Sequence, residues 1–71
     1  MKNLSKAEIS NIIEMCEDHI SDGAKYITRG MHKGQHTIEA WNYEGYFACV
    51  MILNSDVNHK SLNQIVDYFN N

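Results

Sequence analysis

The stretch HTIEAWNYEGYFACVMIL, residues 36 to 53, decides the fold because it predicts two antiparallel strands joined by a tight turn. Glu44-Gly45 is predicted as the turn, since glycine readily adopts a positive φ. With these two residues as the loop, Tyr43 pairs with Tyr46. The register that follows predicts six further pairs: Asn42 and Phe47, Trp41 and Ala48, Ala40 and Cys49, Glu39 and Val50, Ile38 and Met51, and Thr37 and Ile52.

This register predicts a hairpin that is apolar on both faces, because opposed residues of an antiparallel pair share a face. The core face is predicted to hold Ile38, Ala40, Phe47, Cys49, Met51 and Leu53. The second face is predicted to hold Thr37, Glu39, Trp41, Tyr43, Tyr46, Ala48, Val50 and Ile52. A shift of one residue would exchange the faces of one strand relative to the other, so the turn assignment determines this prediction.

Two amphipathic helices are predicted, one before and one after the strand region in the sequence. The first has one apolar stripe at helical spacing: Ile9, Ile12, Ile13, Cys16 and Ile20. Ser5 and Glu8 form a capping box at its start, and Asp22-Gly23 ends it. The second helix is capped by Asn58 and has its own stripe: Leu62, Ile65, Val66 and Phe69.

A short strand, AKYITR at residues 24 to 29, completes the set of elements, and GMHKGQ at residues 30 to 35 is predicted as a loop. The order α-β-β-β-α predicts a single α+β domain over residues 1–71, with a three-stranded antiparallel meander. Because each helix has one apolar stripe, both helices are expected on the same face of the sheet. The face with Trp41 would then be left open.

Composition narrows the function classes. Six Lys and Arg residues against nine Asp and Glu give a formal charge of -3, which argues against broad binding to a phosphate backbone. Cys16 and Cys49 both lie among apolar neighbours and are expected to be free buried thiols, which fits a reducing compartment. MKNLSKAEIS has no apolar signal segment, and no apolar run has the length of a membrane span. The expectation is a cytoplasmic protein without membrane contact.

A metal site is one alternative. Cys16, His19, His32 and His36 follow the pattern C-x2-H-x12-H-x3-H, and their side chains are ligand types that suit Zn2+. A zinc finger, however, places its first ligand pair in a hairpin and its second pair on a helix, which is the reverse of the elements predicted here. We therefore expect no metal and no cofactor, and a small zinc-binding module stays an alternative.

No catalytic pattern stands out. Cys16 lies beside Glu17 and Asp18, and Cys49 is predicted on the core face, whereas a reactive cysteine requires an exposed, electropositive setting. The carboxylates on the first helix are expected to be solvated, and the glycines of RGMHKGQ lack the Lys-Ser/Thr of a phosphate-binding loop. The sequence therefore predicts a protein that is not an enzyme.

Nucleic-acid binding is a second alternative. The α-β-β-β-α order resembles the topology of the double-stranded-RNA-binding domain, in which a loop between the first two strands and the start of the last helix contact RNA. In this chain Gly30-Met31-His32 corresponds to the loop, and His59-Lys60 to the helix start. The resemblance implies RNA contacts from His32, Lys33, His59 and Lys60. The basic cluster of that family is reduced here to Lys60, so nucleic acid is not the favoured partner.

Protein binding through the open sheet face is the favoured interpretation, because Trp and Tyr are enriched at interaction hot spots and an apolar patch on a small domain usually marks an interface. The predicted contact residues are Trp41, Tyr43, Tyr46, Glu39, Glu44, Val50 and Ile52. The sequence predicts a small regulator or inhibitor, of the kind found among phage and mobile-element accessory proteins. Its partner would be another protein, with a homodimer as the simplest case.

Overall fold

A computed structural model describes residues 2–70 as two helices and three strands. Helix α1 (Lys6–Ser21) is followed by strands β1 (Tyr26–His32), β2 (Gln35–Asn42) and β3 (Gly45–Leu53), and then by helix α2 (His59–Asn70). The strands form one antiparallel sheet in the order β1-β2-β3. The predicted α+β class and α-β-β-β-α order are confirmed.

Both helices pack on the same face of the sheet, as their single apolar stripes predict. The sheet contributes four buried side chains to this core: Ile27, Ile38, Ala40 and Val50. The helices contribute five: Ile9, Ile12, Cys16, Leu62 and Ile65. Full burial of an Ile or Leu side chain stabilises the fold by roughly 1.5–3 kcal/mol, so this layer is the main source of stability.

The helix ends follow the predicted capping chemistry. The Ser5 hydroxyl accepts a hydrogen bond from the backbone N–H of Glu8 at 3.1 Å, and Glu8 Oε1 accepts one from the backbone N–H of Ser5 at 3.0 Å. Gly23, which follows the C-cap residue Asp22, has a φ of 124°. Asn58 Oδ1 accepts from the backbone N–H of Lys60 at 2.7 Å at the start of α2.

Among residues 2–70, neither helix has the length and apolar character needed to cross a membrane.

The segment before α1 ties the two halves of the chain together. The backbone N–H of Lys2 donates to the carbonyl of Asp56 at 2.7 Å, and the backbone N–H of Asn58 donates to the carbonyl of Lys2 at 2.6 Å. The buried backbone N–H of Leu4 donates to Ser61 Oγ at 3.1 Å. These bonds hold the start of α2 in place, which fixes one end of the core.

The first hairpin is longer than predicted. Residues 30 to 32, predicted as loop, belong to β1, and the loop contains only Lys33 and Gly34. Both loop residues have positive φ values, 49° and 79°. Such a pair of angles is typical of a type I′ turn, whose twist matches that of the flanking strands and lets both strands extend to the turn.

The second hairpin turns one residue earlier than predicted. Asn42 pairs with Gly45, so the loop is Tyr43-Glu44 and the predicted Glu44-Gly45 turn is wrong. Asn42 Oδ1 accepts hydrogen bonds from the backbone N–H groups of Glu44 and Gly45, both at 2.9 Å. An Asn side chain that bonds its own backbone two residues on stabilises a turn at that point. The asparagine therefore sets the turn.

Two bulges in β3 then restore the predicted register away from the turn. The observed pairs are Trp41 and Tyr46, Ala40 and Ala48, Glu39 and Cys49, Ile38 and Met51, and Thr37 and Ile52. Phe47 and Val50 are the extra residues, each inserted where two residues of β3 oppose one of β2. The predicted pairs at Ile38 and Thr37 are confirmed, and the five predicted pairs nearer the turn are wrong.

The bulges also correct the predicted faces of β3. Cys49, predicted in the core, is exposed and lies opposite Glu39. Val50, predicted on the open face, is buried in the core. Ala48 was likewise predicted on the open face but pairs with the buried Ala40. Each bulge shifts the alternation of β3 by one residue, which moves these side chains to the opposite face.

Candidate interaction surface

The sheet face opposite the helices carries side chains from all three strands, and we call it the open face. Its members are Tyr26, Thr28, Gly30, His32, Thr37, Glu39, Trp41, Tyr46, Cys49 and Ile52. Tyr46 and Ile52 are 54% and 51% exposed. Neither helix packs on this side, since the buried core lies wholly on the other. A group of large exposed apolar side chains on one face of a small domain is typical of a binding surface.

Four aromatic rings form a continuous group on this face, the aromatic cluster of Tyr26, Trp41, Tyr43 and Tyr46. The ring of Tyr26 is nearly parallel to that of Trp41, with centroids 6.4 Å apart, and Tyr46 meets Trp41 edge-on at 5.3 Å. Tyr43 stacks on Tyr26 at 6.2 Å. Trp41 Nε1 donates to Thr28 Oγ1 at 2.8 Å. The central indole is therefore fixed by a neighbour on each side and by one hydrogen bond.

The structure brings together most of the residues predicted from the sequence as partner contacts. Trp41, Tyr46, Glu39 and Ile52 lie on the open face, and the exposed residues Tyr43 and Glu44 form the turn at its edge. Val50 is the exception, because its side chain is in the core.

Tyr26 is the member of the aromatic cluster that the predicted contact set omits. Alternation along β1 places Tyr26 and Thr28 on one side and Ile27 on the other. That pattern is visible in the sequence, and the pairing of Tyr26 with Trp41 makes it part of the surface. The sequence alone did not show that Tyr26 lies on the same face of the sheet as Trp41.

A small cavity of about 160 Å³ lies on the open face beside the aromatic cluster. Its lining residues are His32, Thr37, Glu39, Tyr46, Cys49 and Ile52. Desolvation raises the pKa of Tyr46, and the neighbouring Cys49 thiol and Glu39 carboxylate raise it further. The cavity thus combines a carboxylate, a hydroxyl and a thiol with an aromatic wall.

A second, wider cleft of about 560 Å³ opens on the helix side, lined by Arg29, Gly30, Met31, His36 and His59. Arg29 donates to Asn63 Oδ1 at 2.7 Å, and its other terminal nitrogen lies 3.2 Å from His59 Nδ1. Because arginine can only donate, Nδ1 of His59 is the acceptor in this contact. The guanidinium therefore holds β1 against α2, and Lys33 and Lys60 do not line this cleft.

The four residues of the zinc pattern are dispersed. Cys16 is buried in α1, where burial raises its pKa to about 11, and His19 meets the edge of Phe47 at 6.0 Å. His32 lines the open-face cavity, whereas His36 lines the cleft on the opposite side of the sheet. Within residues 2–70, no three His, Cys, Asp or Glu side chains are grouped to hold a metal ion.

Comparisons with protein-family models, with curated proteins and with solved structures find no match for this chain.

Proposed function

We propose that this protein is a non-enzymatic protein-binding module that docks on another protein through its open face, as a small regulator or inhibitor. The observation that supports the proposal is the aromatic cluster, which lies on a sheet face that neither helix covers. Trp and Tyr dominate the binding energy of protein interfaces because they bury a large area with few rotatable bonds.

The geometry of Trp41 fits the role of a central anchor. Its indole is held between Tyr26 and Tyr46, and its N–H is already bonded to Thr28. A side chain that is fixed before binding loses little conformational entropy on binding. Tyr46 and the neighbouring Ile52 are half exposed and would become buried against the partner.

The size of the protein is compatible with this mode of action. A standard interface buries about 800 Å² on each partner. The accessible surface of the described chain is 4601 Å². An interface of ordinary size therefore takes up roughly a sixth of the surface.

The test compares truncation of the aromatic cluster with truncation of an exposed tyrosine outside it. The double variant Trp41→Ala/Tyr46→Ala removes the centre of the aromatic cluster, and Tyr68→Ala is a matched control because Tyr68 lies on α2 with 55% exposure, against 54% for Tyr46. Tagged protein is used to capture partners from cells of the native host, with circular dichroism to check that each variant is folded. We expect the double variant to lose the captured protein and Tyr68→Ala to retain it.

Three outcomes contradict the proposal or modify it. Equal capture by wild type and the folded double variant contradicts it. A wild-type molar mass of two chains that falls to one chain in the double variant identifies the partner as a second copy. Salt-sensitive binding of duplex RNA that the double variant retains would favour the nucleic-acid alternative instead.

A further inference from the structure

The small cavity on the open face contains a buried hydroxyl without a hydrogen-bond partner. Thr37 is 1% exposed, and within residues 2–70 its Oγ1 makes no hydrogen bond. Buried side-chain polar atoms nearly always have a partner, and an exception needs an explanation such as an absent ligand. The strand register places Thr37 on the open face, between Gly30 and Ile52, so a group that approaches this face is the available partner.

The Glu39 carboxylate lies next to this hydroxyl. Both groups crowd the same side of Gly30, where a β-carbon would stand 2.6 Å from Glu39 Oε1 and 2.8 Å from Thr37 Oγ1. Because Gly30 has no side chain, the two oxygens occupy the space that a side chain at this position would fill. Glu39 is partly exposed, so rotation of its side chain towards a ligand would uncover the hydroxyl.

The charge and the walls of the cavity favour a cation. The lining contains one carboxylate and neither lysine nor arginine, with His32 as its one basic group. Tyr46 forms part of the wall, and Trp41 contacts it edge-on at 5.3 Å. Aromatic faces attract ammonium and guanidinium groups. The formal charge of the whole chain, -3, adds to this preference.

We propose that the cavity receives a basic side chain, the ammonium of lysine or the guanidinium of arginine, from the protein that docks on the open face. This inference rests on the proposed function and adds the chemistry of the partner. The cation pairs with the Glu39 carboxylate, donates a second N–H to Thr37 Oγ1, and packs against Tyr46. Its N–H groups match the acceptors of the cavity, and a carboxylate on the partner would be repelled by Glu39.

The test uses small cations that mimic the two side chains. Isotope-labelled protein is titrated with n-butylammonium and with n-butylguanidinium, with n-butanol as the uncharged control, and NMR shifts are followed at the Gly30 amide and the Thr37 methyl group. Ligands of this size bind with millimolar affinity at best. We expect both cations to give saturable shifts at these two positions and n-butanol to give none.

Matched variants assign the binding to the cavity. Glu39→Gln keeps the shape and removes the charge, and it should weaken both cations by at least about tenfold, as expected for a lost charge-assisted hydrogen bond. Thr37→Val, which keeps the shape without the hydroxyl, should weaken them by about threefold to tenfold. Glu14→Gln removes an equal charge at an exposed position of α1, away from the open face, and should leave the affinity unchanged. Absence of saturable shifts, or equal weakening by Glu39→Gln and Glu14→Gln, overturns the proposal.

Capture of the partner separates this inference from the proposed function. If Trp41→Ala/Tyr46→Ala abolishes capture and Glu39→Gln reduces it, both hold. If the double variant abolishes capture and Glu39→Gln has no effect, the open face binds protein but the cationic contact is wrong. If the cations bind the cavity but the double variant captures the same proteins as wild type, the cavity is a cation site with no role in a protein contact.

Discussion

Glu39 Oε1 occupies the space in which a side chain on Gly30 would begin, 2.6 Å from the position of its β-carbon. The two residues lie on adjacent strands. Gly30 is opposite Thr37 and Glu39 is opposite Thr28, so Gly30 and Glu39 are diagonal neighbours on the same face, offset by two residues. The carboxylate is therefore packed against backbone in the middle of the open face. This relationship links the stability of the sheet to the shape of the proposed binding surface.

Gly30→Ala is expected to destabilise the protein by about 1 kcal/mol. Replacement of a strand glycine by alanine gains up to roughly 1 kcal/mol from backbone entropy, whereas a crowded methyl group costs roughly 1–3 kcal/mol. Glu39 can swing away, but Thr37 is β-branched and buried, and its Oγ1 would lie 2.8 Å from the new carbon. The steric cost therefore exceeds the gain. Denaturant unfolding monitored by Trp41 fluorescence measures the difference.

The Glu39→Ala background provides the control for this prediction. With the carboxylate removed, only the contact with Thr37 Oγ1 remains, so Gly30→Ala should cost less than in the wild-type background. An equal cost in both backgrounds would show that the methyl group does not meet Glu39.

Truncation of Val50 should destabilise the protein much more than truncation of Cys49, because the bulge at Val50 determines which of the two side chains faces the core. Val50→Ala is expected to cost about 2 kcal/mol, from two lost methyl groups and the cavity that they leave. Cys49→Ala should change stability by less than about 0.5 kcal/mol, as for an exposed site. Thermal or denaturant unfolding of both variants measures this. A larger loss for Cys49→Ala would support regular pairing without the bulge.

This pair of residues also shows where prediction from the sequence ends. The capping box at Ser5, the Asn58 cap and the helical stripes, except for Ile20, which is exposed, were predicted correctly, because each depends on neighbours within a few positions. The register of β3 was not, since Phe47, Cys49, Val50 and Met51 are all apolar and either face accepts them. A strand that is apolar on both sides carries no sequence penalty for a shift of one residue.

Most of the predicted contact residues lie on the open face or at its edge, although the register that was used to place them was wrong near the turn. Glu39 and Trp41 alternate with the buried Ile38 and Ala40 along β2, so their face depends on β2 alone and not on the pairing with β3. Tyr46 remains on the same face because the first bulge follows it. The cavity at Thr37 could not be predicted, because the close approach of Glu39 to Gly30 depends on side-chain conformation across two strands.

The two thiols should differ strongly in reactivity. Cys49 is exposed on the open face, while Cys16 is fully buried in α1 and its pKa is raised to about 11 by that burial. Since the thiolate is the reactive form, a disulfide reagent at pH 8 should label one thiol per chain quickly. The second should react only as the protein unfolds. Cys49→Ser should abolish the fast phase, and a fast phase that survives in this variant would contradict the burial of Cys16.

The free energy of unfolding should fall between pH 9 and pH 11 because of Cys16. In the unfolded chain the Cys16 thiol loses its proton near its ordinary pKa of 9.0, whereas the folded protein retains it until about 11. The raised pKa leaves full stability below pH 9, and stability is lost as the pH rises towards 11, by on the order of 2 kcal/mol. Cys16→Ala lacks this contribution. Parallel slopes of unfolding free energy against pH for wild type and Cys16→Ala would contradict it.

Thr28→Val should free the Trp41 indole, the proposed anchor of the open face, without lowering the strand propensity of β1. Valine matches threonine in shape and in preference for strands, so the change removes only the hydroxyl that accepts the Trp41 N–H at 2.8 Å. A half-buried indole N–H left without a partner costs about 1–2 kcal/mol. The measurement is denaturant unfolding, together with the fluorescence emission of Trp41, which should broaden as the ring gains freedom.

Thr28→Ser keeps the hydroxyl and should retain most of the stability. If Thr28→Val unfolds at the same denaturant concentration as wild type and Thr28→Ser does not, the hydrogen bond does not hold the indole. The stacked ring of Tyr26 and the perpendicular ring of Tyr46 would then have to account for its position.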